Sequence, residues 1–202
     1  MKSYKYENML EVGIDEAGRG PLFGRLYVGA AIMPQEALDN SLIKDSKKLT
    51  ERKRYIAYDY VKENAIDYAT FWHDEKTIDE INIYRATEDA MHKVLDKLIV
   101  KPDHILVDGT HFPVYIKNNM VIPHTCIQKG DNLYNSIAAA SILAKVERDK
   151  YILELCDKYP DLDEKYNLKS NKGYGAKVHM DGIKKHGITK WHRKSFGICK
   201  MY

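Results

Sequence analysis

The sequence predicts an α/β layered domain: a sheet flanked by helices, followed by a small, helical, basic C-terminal subdomain. Three observations carry this. Short apolar runs bounded by Gly, Pro or Asp alternate with longer segments of helical periodicity, the pattern of strands covered by helices. From Leu133 to about Lys158 there is no Gly or Pro, and Ser136–Ala144 carries no charge at all. A helix apolar nearly all round is buried against a sheet. Finally, 202 residues that are 44% hydrophobic and 30% charged suffice for one domain with a proper core.

The elements follow in chain order. Met9–Ile14 reads as a buried strand leading into Asp15-Glu16. Gly18, Gly20 and Pro21 break the chain into a turn, and Leu26–Met33 follows as the hairpin partner of the first strand. Thr50 is a good N-cap for a helix over Glu51–Asn64, since its hydroxyl accepts a free first-turn amide. Asp67–Trp72 is another strand. Ala86, Ala90, Met91, Val94, Leu95 and Leu98 recur at spacings of three and four, marking an amphipathic helix. Ile105–Val107 is a short strand ending at Asp108, and Val121–Ile127 reads as one more. Beyond the long helix, Gly173, Gly175, Gly182, Gly187 and Gly197 suggest loops around a short helix near Lys177–His186. No internal repeat, low-complexity tract or linker separates two domains. The expected division is 1–168 as the body and 169–202 as a basic segment of the same domain.

Several classes are excluded. The longest apolar stretch, around Ile137–Ala144, is far shorter than the roughly 20 residues a bilayer demands. Met1–Glu7 holds no apolar core, so no secretory signal is expected. Cys126, Cys156 and Cys199 are odd in number and widely spaced. They make neither a metal pair nor a disulfide framework, which fits a reducing cytoplasm. The net charge is +3 overall, but Lys169–Tyr202 carries +8 and the remainder −5. This is the footprint of a polyanion-binding tail or, equally, a solvated lysine-rich surface.

The acids stand at unusual places. Asp15-Glu16 lies where an apolar strand meets a glycine-rich turn, and Asp108-Gly109 directly follows another strand. Strand ends are where ligand clefts form in α/β sheets. Asp131, in Lys129-Gly130-Asp131-Asn132, precedes the long helix. Asp108-Gly109 also reads as a plain turn, and Asp131 as a plain N-cap. Two adjacent acids at a buried strand end repel one another unless a cation sits between them. Oxygen-only ligands suit Mg2+ or Mn2+ rather than zinc.

These residues carry a resemblance. Gly13-Ile14-Asp15-Glu16-Ala17-Gly18-Arg19-Gly20-Pro21 resembles the N-terminal signature of ribonuclease HII, the type 2 ribonucleases H. The likeness continues through Asp45–Leu49, Val107-Asp108-Gly109, Lys129-Gly130-Asp131, Ser136–Val146, Arg148-Asp149, Lys172-Gly173-Tyr174-Gly175 and His192–Phe196. The blocks keep the family's order and span nearly the whole chain. The resemblance implies a ribonuclease H-like fold, a central mixed sheet flanked by helices. It also implies hydrolysis of RNA in RNA–DNA hybrids and at single ribonucleotides embedded in duplex DNA.

The family's catalytic carboxylates fall on Asp15, Glu16, Asp108 and Asp131, its Gly-Arg-Gly motif on Gly18, Arg19 and Gly20, and its substrate-sensing tyrosine on Tyr174. Two divalent ions, Mg2+ or Mn2+, would activate water and neutralise the transition state, with Asp15 as the natural bridging ligand. Lys47, Lys48, Arg193 and Lys194 are expected phosphate contacts, and Lys172, Lys177, Lys184 and Lys185 extend that footprint. Asp149 also sits in a family-like block. It lies 18 residues beyond Asp131, about 27 Å along a helix, so the two cannot share one site, and a surface or salt-bridge role is expected.

Ribonuclease HIII is disfavoured, because its first acids precede a different turn and it usually carries an extra N-terminal domain. The chain departs from the family at Phe23-Gly24-Arg25-Leu26 and over His111–Asn119. No glutamine-plus-aromatic clamp motif closes Ile198–Tyr202, and a monomer is expected. A non-catalytic nucleic-acid-binding module would leave the four acids unexplained. An NTPase would need a lysine after the glycine-rich loop, which Gly18-Arg19-Gly20-Pro21 lacks.

Overall fold

The computed structural model describes residues 1–35, 42–43 and 49–202. Lys47 and Lys48 lie outside the described residues. The first strand, β1 (Glu11–Ala17), pairs antiparallel with β2 (Leu26–Ile32). Helix α1 (Glu51–Asn64) begins at Thr50, whose side chain accepts from the Lys53 amide. Strand β3 (Asp67–His73) pairs antiparallel with β2. Helix α2 (Glu75–Asp96) leads to β4 (His104–Asp108), which runs parallel to β1. Strands β5 (Tyr115–Lys117) and β6 (Met120–Ile122) form a separate hairpin, and β7 (His124–Ile127) pairs parallel with β4. The result is a mixed five-stranded sheet in the order β3-β2-β1-β4-β7. The chain continues into α3 (Asn135–Lys158), α4 (Asp161–Tyr166), α5 (Leu168–Asn171) and α6 (Lys177–His186). No helix among the described residues is long and apolar enough to cross a membrane.

The sheet has two covered faces. Val12, Ile14, Val28, Ala30 and Val107 meet Ile78, Ala86, Ala90 and Val94 of α2 on one side. On the other side α3 lies against the strand backbones themselves. A Cβ on Gly13 would stand 2.1 Å from the Ser136 carbonyl carbon, and one on Gly29 2.2 Å from the Ala140 oxygen. The small residues Ala138, Ala139 and Ala140 and the glycines beneath them give this close seat, and Ala138 and Ala139 join Ala57 and Val61 of α1 in a second core. A third core joins Leu22, Phe23 and Ile152 to Leu162, Tyr166, Ile183 and Cys199 of the C-terminal region.

Four boundaries differ from the sequence reading, each for a local reason. β1 runs through Asp15 and Glu16, which pair with Gly29 and Val28, so these acids belong to the strand. Helix α2 starts eleven residues before Ala86, capped by Asp74 accepting from Thr77. Its backbone breaks at Asn82, whose carboxamide oxygen accepts from Tyr84 and Arg85 and restarts the helix. The expected Val121–Ile127 strand is divided at Pro123, which has no amide to continue a ladder. α3 begins at Asn135 rather than Leu133, because Gly130–Asn132 forms a 3-10 turn ahead of it.

Replacing Gly13 by Ala forces a methyl into the α3 backbone. Overpacking of this kind costs about 3 kcal/mol, so the midpoint of thermal unfolding should drop by about 10 °C for a chain of this size.

Candidate active site

Strand alternation distributes the first two acids. Asp15 shares the α3 face with Gly13, and the Ser141 side chain of α3 hydrogen-bonds it. Its Oδ1 also accepts from the Glu16 amide at 2.7 Å. Glu16 turns to the α2 face and lines a cleft with Arg19, Tyr84, Glu88, Asp108 and His111. There it lies 3.5 Å from the Arg19 guanidinium. Parallel pairing of Ile14 with Val107 places Asp108, the next residue of β4, beside Asp15. Asp108 Oδ1 accepts from the Gly130 amide at 2.8 Å and so holds the 3-10 turn that carries Asp131. Asp131 is 2% exposed, and its Oδ1 accepts from the Asn132 carboxamide. It is not the N-cap of α3; Tyr134 takes that place.

One carboxylate oxygen from each of Asp15, Asp108 and Asp131 lies within 4.8 Å of the other two. Glu16 is not part of that group, although its charge reaches it. Burial, then repulsion from Glu16 and Asp108, holds the Asp15 carboxyl well above the usual carboxylate range. Burial also raises Glu16; the Arg19 charge opposes this and Asp108 adds to it. The donor set fits a hard divalent cation, being three carboxylates without nitrogen or sulfur. A dication would offset the cost of burial and the repulsion that together raise the Asp15 carboxyl.

The turn after β1 closes the site. Gly18 has φ +92°, and a side chain there would meet the Arg148 guanidinium at 2.2 Å, so glycine is required. Arg19 and Gly20 are exposed. The Tyr174 ring, 46% exposed, stands 4.0 Å from where a Gly20 Cβ would be. The structure thus brings the Gly-Arg-Gly turn and the tyrosine together beside the acids, although 154 residues separate Gly20 from Tyr174.

One expectation is corrected, and another holds through its salt-bridge alternative. Arg193 is fully buried, and its guanidinium donates to the carbonyls of Gly18, Arg19 and Gly24 at 2.6, 3.0 and 2.9 Å. It therefore has no donor face to offer a phosphate, whereas Lys194 beside it is exposed. Asp149 forms salt bridges, to Lys145 at 2.9 Å and Arg54 at 3.4 Å, but it is buried rather than on the surface. Its neighbour Arg148 is buried too, so the charged run Glu147–Lys150 lies partly inside.

Sequence reasoning missed Ser141, the structural use of Arg148, and a buried histidine pair. His179 and His192 face one another with Nε2 atoms 3.2 Å apart. The Thr189 amide donates to His192 Nδ1, so His192 Nε2 carries the proton and donates to His179, whose Nδ1 donates to the Tyr174 carbonyl. Burial, then the His179 charge, pushes His192 down to about 3, so the chain of bonds stays neutral.

Converting Asp15 to Asn removes the charge that burial penalises. The metal-free variant should melt about 3–6 °C above the parent at neutral pH. Because folding raises this carboxyl, ionising it costs stability as pH rises, so the difference should vanish below about pH 4, where both states are protonated. Mg2+ or Mn2+ should raise the melting point of the parent and not of the variant.

Residues 12–199 match the ribonuclease HII family. The ribonuclease HII of Bacteroides thetaiotaomicron is 44% identical over 195 residues, covering 96% of this chain and 93% of its own. That of Christiangramia forsetii is 48% identical over 186 residues, covering 92% and 89%. The crystal structure of ribonuclease H2 from Pyrococcus horikoshii superposes with a TM-score of 0.78 at 25% identity, covering 96% of both chains. The sheet order of a ribonuclease H-like fold, the acids at its strand ends and this likeness along nearly the whole length agree. The chain belongs to the ribonuclease HII family, divalent-metal-dependent endoribonucleases that act on RNA–DNA hybrids.

Proposed function

We propose that the enzyme cleaves on the 5′ side of single ribonucleotides embedded in duplex DNA, as well as RNA in hybrids, leaving 3′-hydroxyl and 5′-phosphate ends. This would place it at the first cut in removing ribonucleotides from DNA. The observation that carries the reading is the Gly18-Arg19-Gly20 turn, which flanks the Asp15–Asp108–Asp131 cluster with the Tyr174 ring against Gly20. A 2′-hydroxyl is the group that separates RNA from DNA at one nucleotide. Backbone groups that bond it discriminate strongly, since the deoxy analogue leaves them unpaired.

In this reading Asp15, Asp108 and Asp131 hold Mg2+ or Mn2+, two ions in all, and Glu16 completes the set from the neighbouring cleft. Bound there, the ions would supply an activated water and charge neutralisation in the transition state. Exposed backbone of Arg19 and Gly20 tests the 2′-hydroxyl, and Tyr174 packs on the adjacent sugar. The 169–202 segment binds the duplex through Lys177, Lys184, Lys185 and Lys194, all exposed, with Lys172 beside them. Its phosphate contacts set position without reading sequence. Three unpaired cysteines support a reducing, cytoplasmic setting.

The test is a labelled duplex with one ribonucleotide, mapped at nucleotide resolution. A cut at the 5′ side of that ribonucleotide is expected, and cleavage confined to runs of several ribonucleotides overturns the reading. Tyr174→Ala should lose at least tenfold more kcat/KM on the single site than on a continuous hybrid. Asp108→Asn should abolish cleavage while duplex binding holds or tightens, because a negative charge has gone. Reversing Lys177 and Lys184 to Glu should weaken hybrid and DNA binding alike and lower the slope of log affinity against log salt by about two.

A further inference from the structure

We propose that Arg193 and Arg148 are positioning residues for ribonucleotide selection, holding the Gly18–Arg25 backbone so that its free amides face the substrate. The proposal rests on reading the Gly18-Arg19-Gly20 turn as the sensor of the 2′-hydroxyl. Both side chains are completely buried. Arg193 takes the carbonyls of Gly18, Arg19 and Gly24. Arg148 reaches in from α3 and takes those of Phe23 and Arg25 at 3.1 Å each, and of Lys172 at 2.9 Å. A buried guanidinium is costly unless its donors are satisfied. Here backbone carbonyls satisfy them, so the rigid planar fork is read out as loop geometry.

The direction of those bonds has a consequence for the amides. In a planar trans peptide the carbonyl and the following N–H point opposite ways. With the Gly18 and Arg19 carbonyls drawn inward onto Arg193, the amides of Arg19 and Gly20 are turned outward. Neither amide has a backbone partner among the described residues, and both residues are exposed. Arg148 also ties this loop to the segment that carries the tyrosine. Arg148 binds the Lys172 carbonyl, and the Leu22 amide donates to the Gly173 carbonyl at 2.9 Å. The loop and Tyr174 are therefore braced to one frame.

The experiment measures Kd in the inactive Asp108→Asn protein, in buffer containing Mg2+, for a DNA duplex and for the same duplex with one ribonucleotide. Arg193→Lys keeps the charge but cannot span three carbonyls. It should reduce the preference for the ribonucleotide duplex about tenfold while affinity for plain DNA changes less than about twofold. Amide exchange should quicken in the peptide spanning 18–25. Arg148→Lys should shift both readouts in the same direction, and it carries the test if Arg193→Lys does not fold. A merely structural role would weaken both duplexes together, and equal losses would overturn the proposal. A parent that prefers the ribonucleotide, with variants that keep its preference, would also overturn it while leaving the reading of the loop intact. A parent with no preference would remove that reading and the proposal together.

Discussion

The backbone-to-backbone seat of α3 on β1 and β2 is the constraint from which the rest of the molecule follows. Gly13 lies under Ser136 and Gly18 under Arg148. Those intervals correspond to about 17 Å of strand and about 18 Å of helix, so the two elements run side by side in the same direction. This alignment puts Ser141 on Asp15 and Arg148 on the loop after β1. Any side chain at Gly13 would lift the helix and misplace every group it carries. The second half of α3 then supplies Ile152 and Cys156 to the core on which the C-terminal helices rest.

Charge inside the protein is arranged along that axis with a clear division of labour. The acids gather at the turn before α3 and at the neighbouring strand ends, where their repulsion is a demand for a cation. The arginines gather beyond the strand end, and burial, then the Arg148 charge, pushes Arg193 down to about 9. It remains a cation at neutral pH. Among the described residues the hydrogen bonds of both arginines go to carbonyls, five in the loop after β1 and one at Lys172. The result separates a centre that is adapted to metal from a frame that is rigid without it.

The proposed chemistry and the proposed selectivity thus rest on different supports. Asp15 and Asp108 are fixed by β-pairing, and Asp131 by the turn that Asp108 itself holds through the Gly130 amide. The Gly-Arg-Gly turn and Tyr174 are fixed instead by Arg148, Arg193 and the His179–His192 chain of bonds. Disturbing one support need not disturb the other.

Much of this was legible in the sequence. Apolar runs marked β1, β2 and β4, Thr50 marked the start of α1, and the uncharged Ser136–Ala144 stretch marked a buried helix. The positions of Asp15, Asp108 and Asp131 at element ends already pointed to one oxygen-ligand site. These are local signals, set by periodicity, caps and chain breaks within a few residues. What the sequence could not assign depended on partners far along the chain. Arg193 read as a phosphate contact because nothing near it reveals that its acceptors are carbonyls about 170 residues earlier. Asp149 read as either a surface or a salt-bridge residue, because its burial with Arg148 is decided by the loop and by Arg54 packing over them. Whether Glu16 joins the three aspartates or turns to the next cleft was decided by the strand continuing through it, since only the sheet fixes which face each residue takes.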